Sequence, residues 1–226
     1  MKEIVIFGTG KIADVVFYYF DQESDFKVVA FAVDDAYKKD NFFNGLPVIS
    51  FEKIEEKYPI NKYSMFVAVG YQDLNDLRTN KCQAAKEKGY ELVSYVHPKS
   101  SAPKYLEYGE NCVIMNNVMI HPRVKLQDNN FVWSGTILGH HSNIGNNNWF
   151  TSGASIAGNV TVGDNNFFAI NSTVGHSVEI GNRCFIGSNA LLTKNLKDCQ
   201  VLISAATKPI RLTSDQFLKM SNFKSL

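Results

Sequence analysis

The chain has 226 residues, enough for one large domain or two small ones and for a buried core. Its 23 Lys and Arg balance 22 Asp and Glu, which argues against nucleic acid or a membrane surface as partner, since both select for a basic excess. No apolar run approaches a membrane span, the opening Lys2-Glu3-Ile4-Val5-Ile6 reads directly as a strand with no leader, and Cys82, Cys112, Cys184 and Cys199 form no C-x-x-C pair; the expected location is cytoplasmic, with reduced thiols.

In chain order, Lys2–Phe7 predicts a buried strand and Lys11–Phe20 a short helix. Between them, Gly8-Thr9-Gly10-Lys11-Ile12-Ala13 fits G-x-G-x-x-[G/A]. In that context backbone N–H groups approach a pyrophosphate at a helix N-terminus. The same glycines also suit a plain tight turn or an NAD site. Lys27–Val33 predicts a second strand, ending at Asp34-Asp35, where an acid can reach a ribose or base. Residues 36–62 show no firm pattern beyond a short extended piece at Leu46-Pro47-Val48. Ser64–Val69 predicts a third strand ending at Gly70, Leu74–Lys88 a helix stopped by Gly89, and Glu91–Val96 a fourth strand. Strands alternating with helices argue for a small α/β, Rossmann-like parallel sheet over residues 1–94.

Beyond residue 95 the period becomes six. From Asn111 the fourth position of successive hexads is Ile114, Ile120, Leu126, Val132, Leu138, Ile144, Phe150, Ile156, Val162, Phe168, Val174, Ile180, Ile186 and Leu192, with no frame break. Such a period marks a solenoid. Each hexad makes a short strand and a corner, and three hexads make one triangular coil of 18 residues. The fourth position fills the coil, and the second, also inward, is mostly small: Cys112, Thr136, Ser142, Ala154, Ser172 and Ala190. Cys112 and Cys184 therefore read as buried filler, not nucleophiles. Asparagines cluster near the corners, where they tolerate left-handed backbone. The expected fold of residues 95–208 is an all-β left-handed parallel β-helix, with residues 209–226 a C-terminal tail or short helix.

Two of the five histidines, His140 and His141, stand side by side in "GTILGHHSNIG". Residues 18 apart stack on one corner, so His140 shares a column with Pro122, Gly158, His176 and Lys194. At about 4.8 Å per coil, His140 and His176 are expected roughly 10 Å apart, with Gly158 leaving open space between them. That is too wide for one metal ion, whose histidine nitrogens sit about 2 Å away, so no metal is expected.

Residues 93–208 resemble hexapeptide-repeat acyltransferases. With "VIFGTGKIADVV", "FAVDD" and "FVAVG" ahead of the coils, nearly the whole chain resembles the sialic acid O-acetyltransferase and nucleotide-sugar N-acetyltransferase group, which includes bacillosamine- and perosamine-type N-acetyltransferases. The resemblance implies an N-terminal domain that holds a nucleotide-linked sugar, a β-helix that binds acetyl-CoA as co-substrate, and a homotrimer with active sites between subunits. It maps the catalytic base onto His140. His141 stands where bacillosamine-type members carry a carboxylate, and either orients the base or the substrate or is simply exposed. Trp149 stands in place of a second histidine near the acetyl group; it packs on the CoA arm or covers the groove. Gly153, Ile170 and Ser188 are expected along the pantetheine path beside Gly158, and Lys208, in Ser204-Ala205-Ala206-Thr207-Lys208-Pro209, near the CoA phosphates. Gly8, Thr9, Gly10, Lys11, Asp34, Asp35 and Gly70 are the expected substrate residues. The implied reaction is N-acetylation of a nucleotide-linked amino sugar in surface-glycan synthesis, by direct transfer. Sugar O-acetylation and a non-catalytic nucleotide-binding β-helix are the alternatives.

Overall fold

The computed structural model describes residues 2–221; Met1 and residues 222–226 of the expected C-terminal tail lie outside the described residues. The N-terminal part is a five-stranded sheet in the order β3-β4-β2-β1-β5, formed by β1 (Lys2–Phe7), β2 (Phe26–Val33), β3 (Phe42–Phe43), β4 (Leu46–Ser50) and β5 (Ser64–Val67). Only β3 runs antiparallel, to β4. Helices α1 (Lys11–Gln22), α2 (Ile54–Lys57) and α3 (Asp76–Glu87) complete it. Ile4, Ile6, Phe20, Phe31 and Phe66 pack on one side of the sheet, and Val5, Ala30, Met65, Val67 and Ile54 on the other.

One expectation needs correction here. Residues 91–96 do not form a fourth strand of this sheet. Leu92 makes only an isolated bridge to Met65, and Tyr95–Val96 pairs instead with Val113–Ile114 of the first coil. The apolar run is long enough to be split between two sheets. Residues 36–62, for which no firm pattern was found, hold the β3–β4 hairpin and α2. Asn44 and Gly45 turn the hairpin with φ of 47° and 76°, the left-handed pair that Asn-Gly supplies.

The remainder is a left-handed parallel β-helix of two-residue strands stacked into three flat faces. One face presents Val113, Phe131, Trp149, Phe167 and Phe185 outwards. The second presents Met119, Ile137, Ser155, Thr173 and Leu191, and the third Glu107, Lys125, Asn143, Thr161 and Glu179. All fourteen inward fourth positions, Ile114 to Leu192, are at most 5% exposed. Each large apolar side chain so buried contributes about 1.5–3 kcal/mol relative to exposure, which is why the six-residue frame is kept. Every first position of the fourteen hexads, from Asn111 to Asn189, has a positive φ. The asparagines, two glycines and a few others, His141 among them, therefore sit at the turning point of each corner. After Lys194 the frame breaks: Val201–Leu202 pairs with Phe185–Ile186 at a separation of 16 residues.

The N-terminal sheet packs on the aromatic face. Phe66 contacts Phe131 (ring centroids 5.8 Å apart), and Tyr71 covers Trp149 (5.3 Å) and Phe167 (4.7 Å). Past the last coil, Ile203 to Ile210 has no regular structure, and α4 (Ser214–Met220) is closed at its N-terminus by a capping box between Thr213 and Gln216. All four cysteines are free thiols. Burial pushes the Cys112 thiol up to about 12, so it stays protonated and unreactive.

Candidate active site

The corner between the second and third faces carries the histidines. His140 closes one hexad, and His141 opens the next at φ 60°. Their Nδ1 atoms lie 3.1 Å apart, within hydrogen-bond distance, and both side chains are exposed. The left-handed backbone at His141 sets the second ring edge-on against the first, with centroids 5.3 Å apart. His140 Nε2 has no hydrogen-bond partner among the described residues.

Gly158 lies one coil below. A Cβ there would stand 2.5 Å from His140 Cε1 and 2.6 Å from Nε2, so the imidazole occupies the place of a side chain. This corrects the expectation that Gly158 leaves open space for a ligand: the glycine is itself buried, and the ring of His140 fills the gap. It also shortens the distance to His176. The ring centroids are 6.1 Å apart, well under the expected separation, because His140 leans down the column.

Gly153, Ile170 and Ser188 fall on a different corner, between the aromatic face and the second face. Within one chain they and His140 therefore flank opposite edges of the second face and do not form a single pocket. Ile170 and Ser188 are exposed, and the C-terminal segment passes this corner, where Ser204 Oγ donates to Ser188 O at 2.6 Å. Lys208 follows in the irregular segment and is exposed. Trp149 is elsewhere. It is 2% exposed, stacked on Phe131 at 4.8 Å and roofed by Tyr71, so it packs the domain interface and does not line a groove.

In the N-terminal sheet, Gly8 and Asp34 directly follow β1 and β2, and Gly70 comes three residues after β5, all past the C-terminal ends of parallel strands. Gly8 needs to be glycine: φ is 117° and a Cβ would sit 2.8 Å from Ala68 O. Gly10 precedes α1 in extended backbone, with nothing near its absent Cβ and no side-chain cap. The first intrahelical bond runs from Asp14 N–H to Gly10 O, so the amides of Lys11, Ile12 and Ala13 point out of the helix end. That geometry suits a phosphate. Thr9 opens onto a cleft of about 220 Å³ whose other walls include Val33, Tyr37, Lys39, Phe42 and Phe43. Tyr37 and Phe42 are largely exposed, offering aromatic surface to a base. Sequence reasoning missed these residues because the Asn44-Gly45 hairpin that presents Phe42 and Phe43 went unread.

The two acids divide. Asp34 accepts from Lys81 Nζ at 2.7 Å with both side chains mostly buried, so it is an ion-pair partner and not a free carboxylate. The Asp35 side chain is exposed, and its backbone N–H donates to the Glu52 carboxylate at 3.1–3.2 Å. Among the described residues, no group of three or more His, Cys, Asp or Glu is placed to hold a metal ion, and no helix is long and apolar enough to cross a membrane.

Residues 3–104 match the PglD N-terminal domain family, and residues 163–194 match the family of bacterial transferase hexapeptide repeats. Among solved structures, the chain is similar to PerB from Caulobacter crescentus, crystallised with CoA and GDP-perosamine: 25% identity, covering 90% of this chain and 95% of that one, with a TM-score of 0.78. The acetyltransferase domain of PglB from Neisseria gonorrhoeae shares the fold at 19% identity over 93% of this chain and all of that one, TM-score 0.80. WeeI from Acinetobacter baumannii does so at 19% identity over 90% and 97%, TM-score 0.68. No curated protein matches the sequence.

A histidine seated on a β-helix corner, behind a glycine-rich α/β domain, defines the class: the protein is a hexapeptide-repeat acyltransferase. It combines a PglD N-terminal domain with bacterial transferase hexapeptide repeats, and it is similar to the sialic acid O-acetyltransferase and nucleotide-sugar N-acetyltransferase group.

Proposed function

We propose that the protein is an acetyl-CoA-dependent N-acetyltransferase that modifies the amino group of a nucleotide-linked sugar for surface-glycan synthesis, with His140 as general base. The observation that carries this reading is the seating of His140, with its ring on Gly158 and its Nδ1 beside Nδ1 of His141. With the proton on His140 Nδ1 and donated to His141, the Nε2 lone pair stays unpartnered and takes the proton of an attacking amine. His141 thus does the orienting work of the carboxylate found at its position in bacillosamine-type relatives. Acetyl-CoA supplies the activated thioester carbonyl. The new C–N bond forms as the C–S bond breaks, and the proton held on Nε2 passes to the departing thiolate. No acyl-enzyme is required.

The corner with Gly153, Ile170 and Ser188, followed by Lys208, is the proposed course of the cofactor: its residues are small or exposed, and a second corner of this kind bounds the same face as His140. Because both corners flank the second face, a site using both is completed by a neighbouring copy. We therefore propose a homotrimer packed on that face, whose Met119, Ile137 and Leu191 are 43%, 36% and 64% exposed. The nucleotide-sugar is assigned to the Gly8–Lys11 turn, the Thr9 cleft, Asp35 and Gly70, with Asp34 supporting the edge through Lys81. PerB, crystallised with CoA and GDP-perosamine, supports both ligand assignments. The protein is placed in the cytoplasm, where its free thiols stay reduced. Residues 1–94 and 95–208 are the proposed nucleotide-sugar and acyltransfer domains.

The test is steady-state acetylation of UDP-, dTDP- and GDP-linked amino sugars. The product is expected to keep its acetyl group in mild base, as an amide does. His140→Asn is expected to lower kcat/KM by about 10²–10⁴-fold. Near wild-type turnover by this variant would reject His140 as the base.

A further inference from the structure

Arg78, near the start of α3, is fully buried. Its Nε donates to Asn129 Oδ1 (2.9 Å), Nη1 to Asn75 Oδ1 (2.9 Å) and Gly70 O (3.4 Å), and Nη2 to Asn129 O (3.1 Å) and Asn147 O (3.4 Å). The guanidinium lies over Phe131 at 4.5 Å and Trp149 at 5.1 Å. None of these partners is a carboxylate. A buried cation held only by neutral acceptors is costly, and an apolar side chain of the same size would pack the interface at least as well. The arginine is therefore explained by what its fork joins.

It joins two coil corners, at Asn129 and Asn147, to the loop Gly70–Asn75. That loop contains three consecutive left-handed residues that are not glycine: Asp73, Leu74 and Asn75, at φ 52°, 51° and 73°. Such backbone persists only where its surroundings hold it. Asn75 is fully buried too, and its Nδ2 donates to Asn166 O at 3.3 Å. The loop begins three residues after β5, past the C-terminal end of the strand that pairs in parallel with β1, which Gly8 follows.

We infer that Arg78 is a positioning residue for acceptor binding: from inside the domain interface it holds loop 70–75 in its left-handed shape and fixes the Gly70 end of the nucleotide-sugar site against the coil. The inference rests on the proposed function. It touches neither the reacting atoms nor the cofactor corner.

The measurement is KM for the nucleotide-linked amino sugar and for acetyl-CoA, separately, in Arg78→Lys and Asn75→Gly. Lysine keeps the charge but replaces the planar fork by a point donor. Glycine keeps the left-handed backbone of residue 75 and removes only its side-chain bonds. Arg78→Lys is expected to raise the nucleotide-sugar KM about tenfold or more while the acetyl-CoA KM and kcat stay within about twofold. Asn75→Gly is expected to do the same less strongly, and it carries the test alone if Arg78→Lys does not fold. Equal changes in both KM values, or none in a folded variant, overturn the inference. A wild-type enzyme that acetylates no nucleotide-linked amino sugar overturns the proposed function and this inference together. Unchanged variants of an active wild type overturn the inference alone.

Discussion

Gly158→Ala separates the seating of His140 from the stability of the coil. Gly158 does not have a positive φ, so alanine is permitted by the backbone, but its Cβ would stand 2.5 Å from His140 Cε1, 2.6 Å from Nε2 and 3.0 Å from Cδ2. To regain ordinary contact the ring must shift by about 1 Å. The His140 side chain is exposed and free to swing outwards, so the fold loses little. A displacement of about 1 Å at a reacting group costs about 10²-fold, or about 2.7 kcal/mol of barrier. The expected result is therefore a kcat about a hundredfold lower, with the melting midpoint changed by no more than a few degrees. Gly139→Ala is the control. Its Cβ would lie 2.4 Å from Ala157 C and 2.5 Å from Gly158 N, backbone atoms tied into the ladder by the bond from Gly139 N–H to Ile156 O. That overpacking is expected to cost about 1–3 kcal/mol and to lower the midpoint by about 2–4 °C per kcal/mol. Steady-state kinetics and thermal melts on both variants decide. Wild-type kcat in Gly158→Ala, or equal destabilisation by the two, would refute the seating argument.

If His141 orients the base, His141→Ala loses one hydrogen bond of about 1 kcal/mol and with it a kcat of about 5- to 10-fold. His141→Asn, which suits the left-handed position, is expected to keep the melting midpoint and separate the two effects. His97 is buried against Tyr19 and Tyr95 and accepts from Lys99 N–H, and burial pulls its pKa below the usual histidine value. Below about pH 6.5 the unfolded chain then binds a proton that the folded chain refuses. Stability is full above that pH and falls as the pH drops towards the folded value. His97→Asn, which keeps an acceptor for Lys99 N–H, is expected to flatten urea midpoints across that range; an unchanged slope would reject the assignment. Ile137→Asp, on the exposed apolar face, is expected to lower the solution-scattering mass from three chains to one, and a trimeric variant would move the interface elsewhere.

The β-helix was legible because its rule is local. One large inward residue in six, with asparagine or glycine at most turning points, determines coil size, face and corner without reference to anything distant. The placing of His140, Gly158 and His176 on one column followed by counting. The Asn44-Gly45 hairpin is also written locally, in two residues that accept left-handed backbone. What counting could not reach was side-chain direction and everything between the two domains. The His140 ring turns into the gap at Gly158 and back onto His141 because of contacts 18 residues away and a left-handed φ at the next residue, and the two histidines are a coupled pair only for that reason. Trp149 is interface filler, not cofactor contact, because Tyr71 from another domain covers it. Arg78 looks like any helical surface arginine until the coil closes over it. A hexapeptide coil behind a small α/β domain follows from periodicity along the chain alone. The direction of each functional side chain, and which of them are sealed, depend on packing between residues far apart in sequence and emerge only in the folded chain.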